Sequence, residues 1–246
     1  MKPLFYGKGC IPREAFEANI AAARALNLPY PKAGSARLAV IGGGHSIKAH
    51  VEELRAFDGD RWIIGGAFQW AREQGIDGAL FNAHPRALVK EFTWGAKEAV
   101  LWDGTDPCVF EALRGAKISA FPLDNSGDPE TVDHGITTAT CASVLPVKAG
   151  YKQVVFYGCD SCWPPGETTH AYEEETTLSQ RILVRCNGQD FLTNPMYLIQ
   201  AEYLGAVLRC APHVFSEKSG GLLAAMVTDS EWSISEEAFE ELRKAA

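Results

Sequence analysis

Leu38-Ala39-Val40-Ile41-Gly42-Gly43-Gly44-His45-Ser46 is the stretch on which the fold turns. Four apolar residues form a short strand, and three glycines stop it. From there Ile47, Val51, Leu54 and Phe57 recur at helical spacing, so a helix is predicted over Ile47 to Phe57. Strand, glycine turn and helix open a nucleotide-binding α/β unit. Gly42, Gly43 and Gly44 let the backbone approach a phosphate or sugar, and the helix start adds N–H groups at a positive dipole end. Ser46 stands where an N-cap or a donor to a ligand would be. The run is neither a Walker A motif nor a clean G-x-G-x-x-G. A plain glycine turn is the alternative reading.

The same alternation runs outward in both directions. Pro12 to Leu26 is rich in Ala, Glu and Arg and reads as a helix, followed by a loop over Asn27 to Ala36. Strands are expected at Arg61–Gly65, Gly78–Asn82, Glu98–Trp102, Lys117–Leu123 and Tyr151–Tyr157, with a helix over Ala67–Gln74. Gly135 to Ala149 reads as a helix that Pro146 would kink. Ser161 to Thr177 is a long loop. Asn187-Gly188 between two short runs marks a hairpin over Arg181 to Thr193, and helices are expected at Pro195–Arg209 and Ser235–Lys244. The fold class is therefore α/β: a Rossmann-like, mostly parallel sheet of six or seven strands with helices on both faces, plus a C-terminal β-hairpin and helices. The whole chain, 1–246, is expected to be one domain, with an N-terminal helix and linker over 1–36 and a lid and hairpin over 161–193.

Composition narrows the function. At 22% charged and 10% aromatic residues the chain has globular composition and is not intrinsically disordered. A net charge of −8 gives no global attraction to nucleic acid or anionic membrane, although a local basic groove is compatible with it. No apolar run approaches the ~18–20 residues of a membrane span, and the first residues lack the apolar core of a signal peptide. A cytoplasmic setting is expected, in which most of the seven cysteines are small buried hydrophobes. Cys159 and Cys162 form a C-x-x-C, half of a zinc or redox site, but no second pair supplies the other ligands, so no metal site is assigned.

Four segments carry the candidate chemistry. The first is the glycine turn. The second, Asn82-Ala83-His84-Pro85-Arg86, follows a strand, where open α/β sheets place ligands; Asn82 offers donor and acceptor, and Arg86 suits a phosphate. Asn82 as a helix cap and His84 as a surface residue is the alternative. The third is the Gly/Thr-rich run Gly135 to Thr140, whose Thr137 and Thr138 would hold a ligand's polar edge or cap a helix. In the fourth, Asp160 ends a strand as a catalytic or ribose-binding carboxylate, and His170 in the following loop has the chemistry of a general base. Glu173-Glu174-Glu175 reads as a solvated acidic run.

Strand-Gly-x-Gly-x-Ser-helix, Asn-x-x-Pro after a later strand, and a Thr-Thr-Ala helix leading to Ala-Gly-Tyr-Lys-Gln-Val-Val-Phe-Tyr-Gly-Cys-Asp together resemble one superfamily. It contains bacterial sialyltransferases that use a CMP-activated sugar, the motility-associated flagellin glycosylation proteins, and 6-hydroxymethylpterin diphosphokinase-like proteins. The resemblance covers Leu38 to Tyr172, with His45 where the usual turn has Pro. It implies that Gly43, Gly44, Ser46, Asn82 and Thr138 contact the donor nucleotide, with Asp160 on the sugar or acceptor side. His170 is the base by its chemistry and not by that likeness. The pyrophosphokinase branch would need acidic Mg²⁺ ligands after the third strand, where this chain has Asn82-Ala83-His84-Pro85.

The expected activity is a metal-independent, sialyltransferase-like transfer of a glycosyl group from a nucleotide-activated donor, CMP-sugar by the resemblance, to an acceptor hydroxyl. No tightly bound cofactor is expected, and Arg86 or Lys48 would offset the phosphate charge. An ATP- and Mg-dependent pyrophosphokinase, a non-catalytic nucleotide-binding module and a phage-type DNA base-modifying transferase are the alternatives. A homo-oligomer is compatible with all of these.

Overall fold

The computed structural model describes residues 11–122, 137–164, 170 and 181–234. The expectations for 123–136, for most of the loop after Ser161 including Glu173-Glu174-Glu175, and for the helix over 235–244 lie outside the described residues. Helix α1 (Arg13–Ala25) precedes β1 (Arg37–Ile41), and a 3-10 turn (His45–His50) leads into α2 (Val51–Arg55). Then come β2 (Asp60–Ile64), α3 (Ala67–Glu73), β3 (Ala79–Asn82), a second 3-10 turn (Ala87–Phe92), β4 (Glu98–Trp102), α4 (Pro107–Ala112) and β5 (Lys117–Phe121). After α5 (Thr138–Cys141) and α6 (Leu145–Ala149) the chain forms β6 (Gln153–Tyr157), β7 (Ile182–Cys186), β8 (Gln189–Thr193), α7 (Pro195–Cys210), β9 (Phe215–Lys218), α8 (Gly221–Thr228) and β10 (Trp232–Ile234).

Seven strands form one parallel sheet in the order β5-β4-β3-β2-β1-β6-β9. Its central strands are buried almost end to end, because both faces are covered. Successive side chains point to opposite faces, and the core divides accordingly. Leu38, Val40, Val154 and Phe156 pack with Ala139, Leu145, Leu204 and Leu223 on one face. Ala39, Ile41, Val155 and Tyr157 pack with Ile47, Leu54, Phe68 and Val109 on the other.

The β7–β8 hairpin forms as expected. Asn187 and Gly188 take φ of 50° and 69°, the left-handed pair that a two-residue turn of this hand requires. Strand β10 adds to it, making a three-stranded antiparallel sheet. Ile182, Val184 and Cys186 of this sheet pack on Leu198 and Ala201 of α7 and on Leu222 and Met226 of α8. Those two helices also serve the large sheet.

Two local expectations are corrected, and one strand was not expected. The helix over Ile47–Phe57 is a 3-10 turn followed by five residues of α-helix, with Gly44 and not Ser46 at its N-cap. The kinked helix over 135–149 is two helices, and Pro146 lies in the first turn of α6, where its missing N–H breaks no bond. Strand β9 had no apolar run to announce it: Phe-Ser-Glu-Lys buries Phe215 and exposes Ser216 and Lys218, because it is an edge strand.

Candidate functional site

The strand order sets where a ligand fits. The chain lays β2 to β5 on one side of β1 and then returns to place β6 on the other. The connections leaving β1 and β6 diverge there, opening a crevice at the strands' carboxyl ends. A cleft of about 740 Å³ occupies this position, walled by the turns after β1, β3 and β6 and by the start of α7. A second cleft, about 610 Å³, lies at the amino ends of β2 to β5. On its wall Lys117 pairs with Glu98 at 2.7 Å, and Asp60 accepts from the Tyr151 hydroxyl at 2.7 Å.

At the β1 turn, Gly42 N–H donates to the Tyr157 carbonyl at 2.8 Å, and Gly44 N–H to the Gly158 carbonyl at 2.7 Å. A methyl group on Gly42 would stand 2.5 Å from the Gly158 oxygen, and one on Gly44 would stand 2.6 Å from the Asp160 carboxyl. Two of the three glycines are thus demanded by the approach of the β6 turn. Gly43 also lines the cleft, and its N–H has no partner among the described residues.

Asp160 lies on the cleft wall, 6% exposed. Its carboxyl group accepts from Ser46 N–H at 2.8 Å, from Gly220 N–H at 2.9 Å and from the Ser46 hydroxyl. Asp160 therefore ties the glycine turn to the start of α8. Ser46 does not line the cleft; its hydroxyl is turned to Asp160.

The β3 turn is held from three sides. Asn82, buried, donates from Nδ2 to the His84 carbonyl at 3.2 Å, and Asn19 of α1 donates to the Pro85 carbonyl at 3.3 Å. Ala83 N–H donates to the Thr138 hydroxyl at 3.3 Å, which joins this turn to α5. Thr137 caps α5, its hydroxyl accepting from Thr140 N–H and donating to Gln200 Oε1 at 2.7 Å. Gln200 Nε2 in turn donates to the Ser161 hydroxyl at 2.9 Å. Ser161 has φ of 59°, a left-handed backbone in a non-glycine residue beside the cleft, with its carbonyl held by the Thr193 hydroxyl at 2.7 Å.

His170 lines the same cleft. Burial, aided by the charge of His45, pushes its imidazole down to about 4, so it is neutral near pH 7. Burial also lowers His84, with the Arg86 charge acting the same way. Burial pushes the Cys159 thiol up beyond its ordinary range and Cys162 up to about 11, so both are protonated thiols and poor nucleophiles. Among the described residues no group of three His, Cys, Asp or Glu is placed to hold a metal ion.

Gly42, Gly43, Gly44, Asn82, Thr137, Thr138, Asp160 and His170 come together on one cleft. Arg86 and Lys48 do not: both are exposed, and among the described residues lining the cleft there is no Lys or Arg. The expected cationic counter-charge to a phosphate is absent from the described part of these walls. Sequence reasoning missed Gln200, Ser161 and Tyr197 as wall residues. Asn194-Pro195 signals where α7 starts, and Asn194 does cap Tyr197 N–H at 2.8 Å, but a cap says nothing of which face meets the cleft.

A doubly wound parallel sheet with a cleft at its switch point, apolar over most of its lining and carrying a few polar groups, defines the class. The fold is similar to that of the MAf glycosyltransferase from Magnetospirillum magneticum AMB-1, with a TM-score of 0.63 and 17% identity. The match covers 87% of this chain and 37% of that one, so the chain spans well under half the length of its structural neighbour. No family model matches the sequence, and no curated protein does. No helix among the described residues is long and apolar enough to cross a membrane.

Proposed function

We propose that the chain transfers a glycosyl group from a nucleotide-activated donor to a hydroxyl, without a metal ion. The observation that carries this reading is the place of His170 on the wall of the switch-point cleft, together with Gly43, Asn82, Thr137 and Thr138. The neighbour's glycosyltransferase fold supports it. In this reading Gly43, Asn82, Thr137 and Thr138 hold the nucleotide end of the donor. His170 takes the proton of the acceptor hydroxyl as its oxygen bonds the sugar's anomeric carbon, and the bond from that carbon to the phosphate breaks. Asp160 and Gln200 are positioning residues, fixing the glycine turn and Thr137 through the hydrogen bonds described.

Thermal shifts with CMP-, UDP- and GDP-sugars test the reading, followed by assays for release of the nucleoside phosphate. One donor class is expected to stabilise the chain, with turnover unchanged by EDTA and abolished in His170→Ala. No stabilisation by any nucleotide sugar would refute it. Turnover that requires Mg²⁺ and ATP with AMP release would favour a pyrophosphokinase, and binding without turnover a nucleotide-sensing module.

A further inference from the structure

The reading above leaves one histidine on the cleft without a role. His84 lies on the cleft wall, half-buried. Its Nδ1 is 3.2 Å from the Arg86 backbone nitrogen. A backbone N–H only donates, so Nδ1 is the acceptor and the ring proton resides on Nε2. The turn that imposes this tautomer is itself held by Asn82 and Asn19. Nε2 has no hydrogen-bond partner among the described residues. Burial and the neighbouring Arg86 charge keep the ring neutral. No Lys or Arg lines the described walls, so an N–H donor such as this one is the kind of group left there to meet negative charge developing in the cleft.

We propose that His84 Nε2–H donates a hydrogen bond to the phosphate oxygen that becomes the leaving group of the nucleotide donor. The inference rests on the glycosyl-transfer reading and adds a second catalytic histidine to it. As the anomeric carbon's bond to the phosphate breaks, its electron pair goes to that oxygen. The acceptor oxygen takes its place on carbon, and the acceptor proton goes to His170. His84 transfers no proton; it stabilises the growing negative charge and, in the product complex, the released nucleoside mono- or diphosphate.

Two substitutions divide the ring's functions. In His84→Asn the amide oxygen reaches the position of Nδ1 and keeps the bond from Arg86 N–H, but nothing reaches Nε2. In His84→Gln the amide nitrogen reaches the position of Nε2. Titration with CMP, UDP, GDP and ADP, the nucleotides that sugar donors release, is expected to find one that the native chain binds. His84→Asn should bind it about tenfold to a hundredfold more weakly, with kcat reduced at least as much, whereas His84→Gln should recover most of the loss. Nitrogen-15 spectra of the native chain should show the imidazole proton on Nε2. Native-like binding of that nucleotide in His84→Asn, equal losses in both variants, or a proton on Nδ1 would each overturn the proposal. A native chain that binds none of the four would overturn the glycosyl-transfer reading together with it, whereas native binding unaffected by His84→Asn would overturn this inference alone.

Discussion

Replacing Asp160 with Asn separates a positioning carboxylate from a catalytic one. Oδ2 accepts from Ser46 N–H at 2.8 Å, and Oδ1 accepts from Gly220 N–H at 2.9 Å and from the Ser46 hydroxyl. Asn has nearly the same shape but only one acceptor atom. Whichever way the amide is turned, its NH2 group faces either Ser46 N–H or Gly220 N–H, donor against donor. Loss of one bond to a charged acceptor and a stranded backbone donor together cost about 3 kcal/mol. That is a large share of a total stability of about 5–15 kcal/mol, and for a chain of this size it lowers Tm by about 6–12 °C. Ser46→Ala removes only the hydroxyl and should cost about 1 kcal/mol, and the double variant should cost less than the sum, since both changes act on one cluster. Urea and thermal unfolding of the four chains measure all of this. If Asp160→Asn unfolds within 1 °C of the native chain while turnover disappears, the pinning role is wrong and the carboxylate acts on the substrate.

Two further outcomes follow from the same site. His170 is neutral in the folded chain down to about pH 4, whereas its unfolded value is near 6.5. Between these values the unfolded state takes up a proton that the folded state refuses, so stability is lost as pH falls through that window. After allowance for partial exposure the loss is about 2 kcal/mol, and His170→Asn should shrink the difference in unfolding free energy between pH 6.5 and pH 4 by that amount; identical slopes would contradict the assignment. Under the glycosyl-transfer reading, the acid limb of kcat/KM should lie near pH 4 and not near 6.5. Gly42→Ala should cost about 1–3 kcal/mol because its new carbon would stand 2.5 Å from the Gly158 oxygen, backbone against backbone. A native Tm for that variant would show that the β1 and β6 turns part easily.

The glycine turn shows both the reach of the sequence and its limit. Leu38 to Ile41 followed by three glycines announces a strand of a parallel sheet with a turn at its carboxyl end, and the structure has both. The reason for the glycines was not legible. The sequence suggests space for a phosphate, while the structure shows Gly42 and Gly44 making room for Gly158 and Asp160, which lie more than a hundred positions away. Ser46 likewise reads locally as a cap and is in fact a partner of Asp160. Arg86 reads as a phosphate ligand from its place after β3, yet its side chain lies off the cleft, and its backbone N–H acts on His84 instead.

What the sequence determined by itself is the alternation of buried strands and helices, the Asn187-Gly188 hairpin and the set of turns that meet at the sheet's carboxyl edge. These follow from short-range physics: apolar period, glycine's conformational freedom and helix capping act within a few residues. The tertiary structure alone decided which polar side chains remain for a ligand and which are occupied by the chain. Asp160, Ser46, Thr137 and Gln200 each look chemically available when read singly, and each is engaged by a partner far away in the chain. Hydrogen bonding and desolvation depend on distances in space, so the depressed imidazoles of His84 and His170 exist only once the strands have been ordered and the cleft has closed around them.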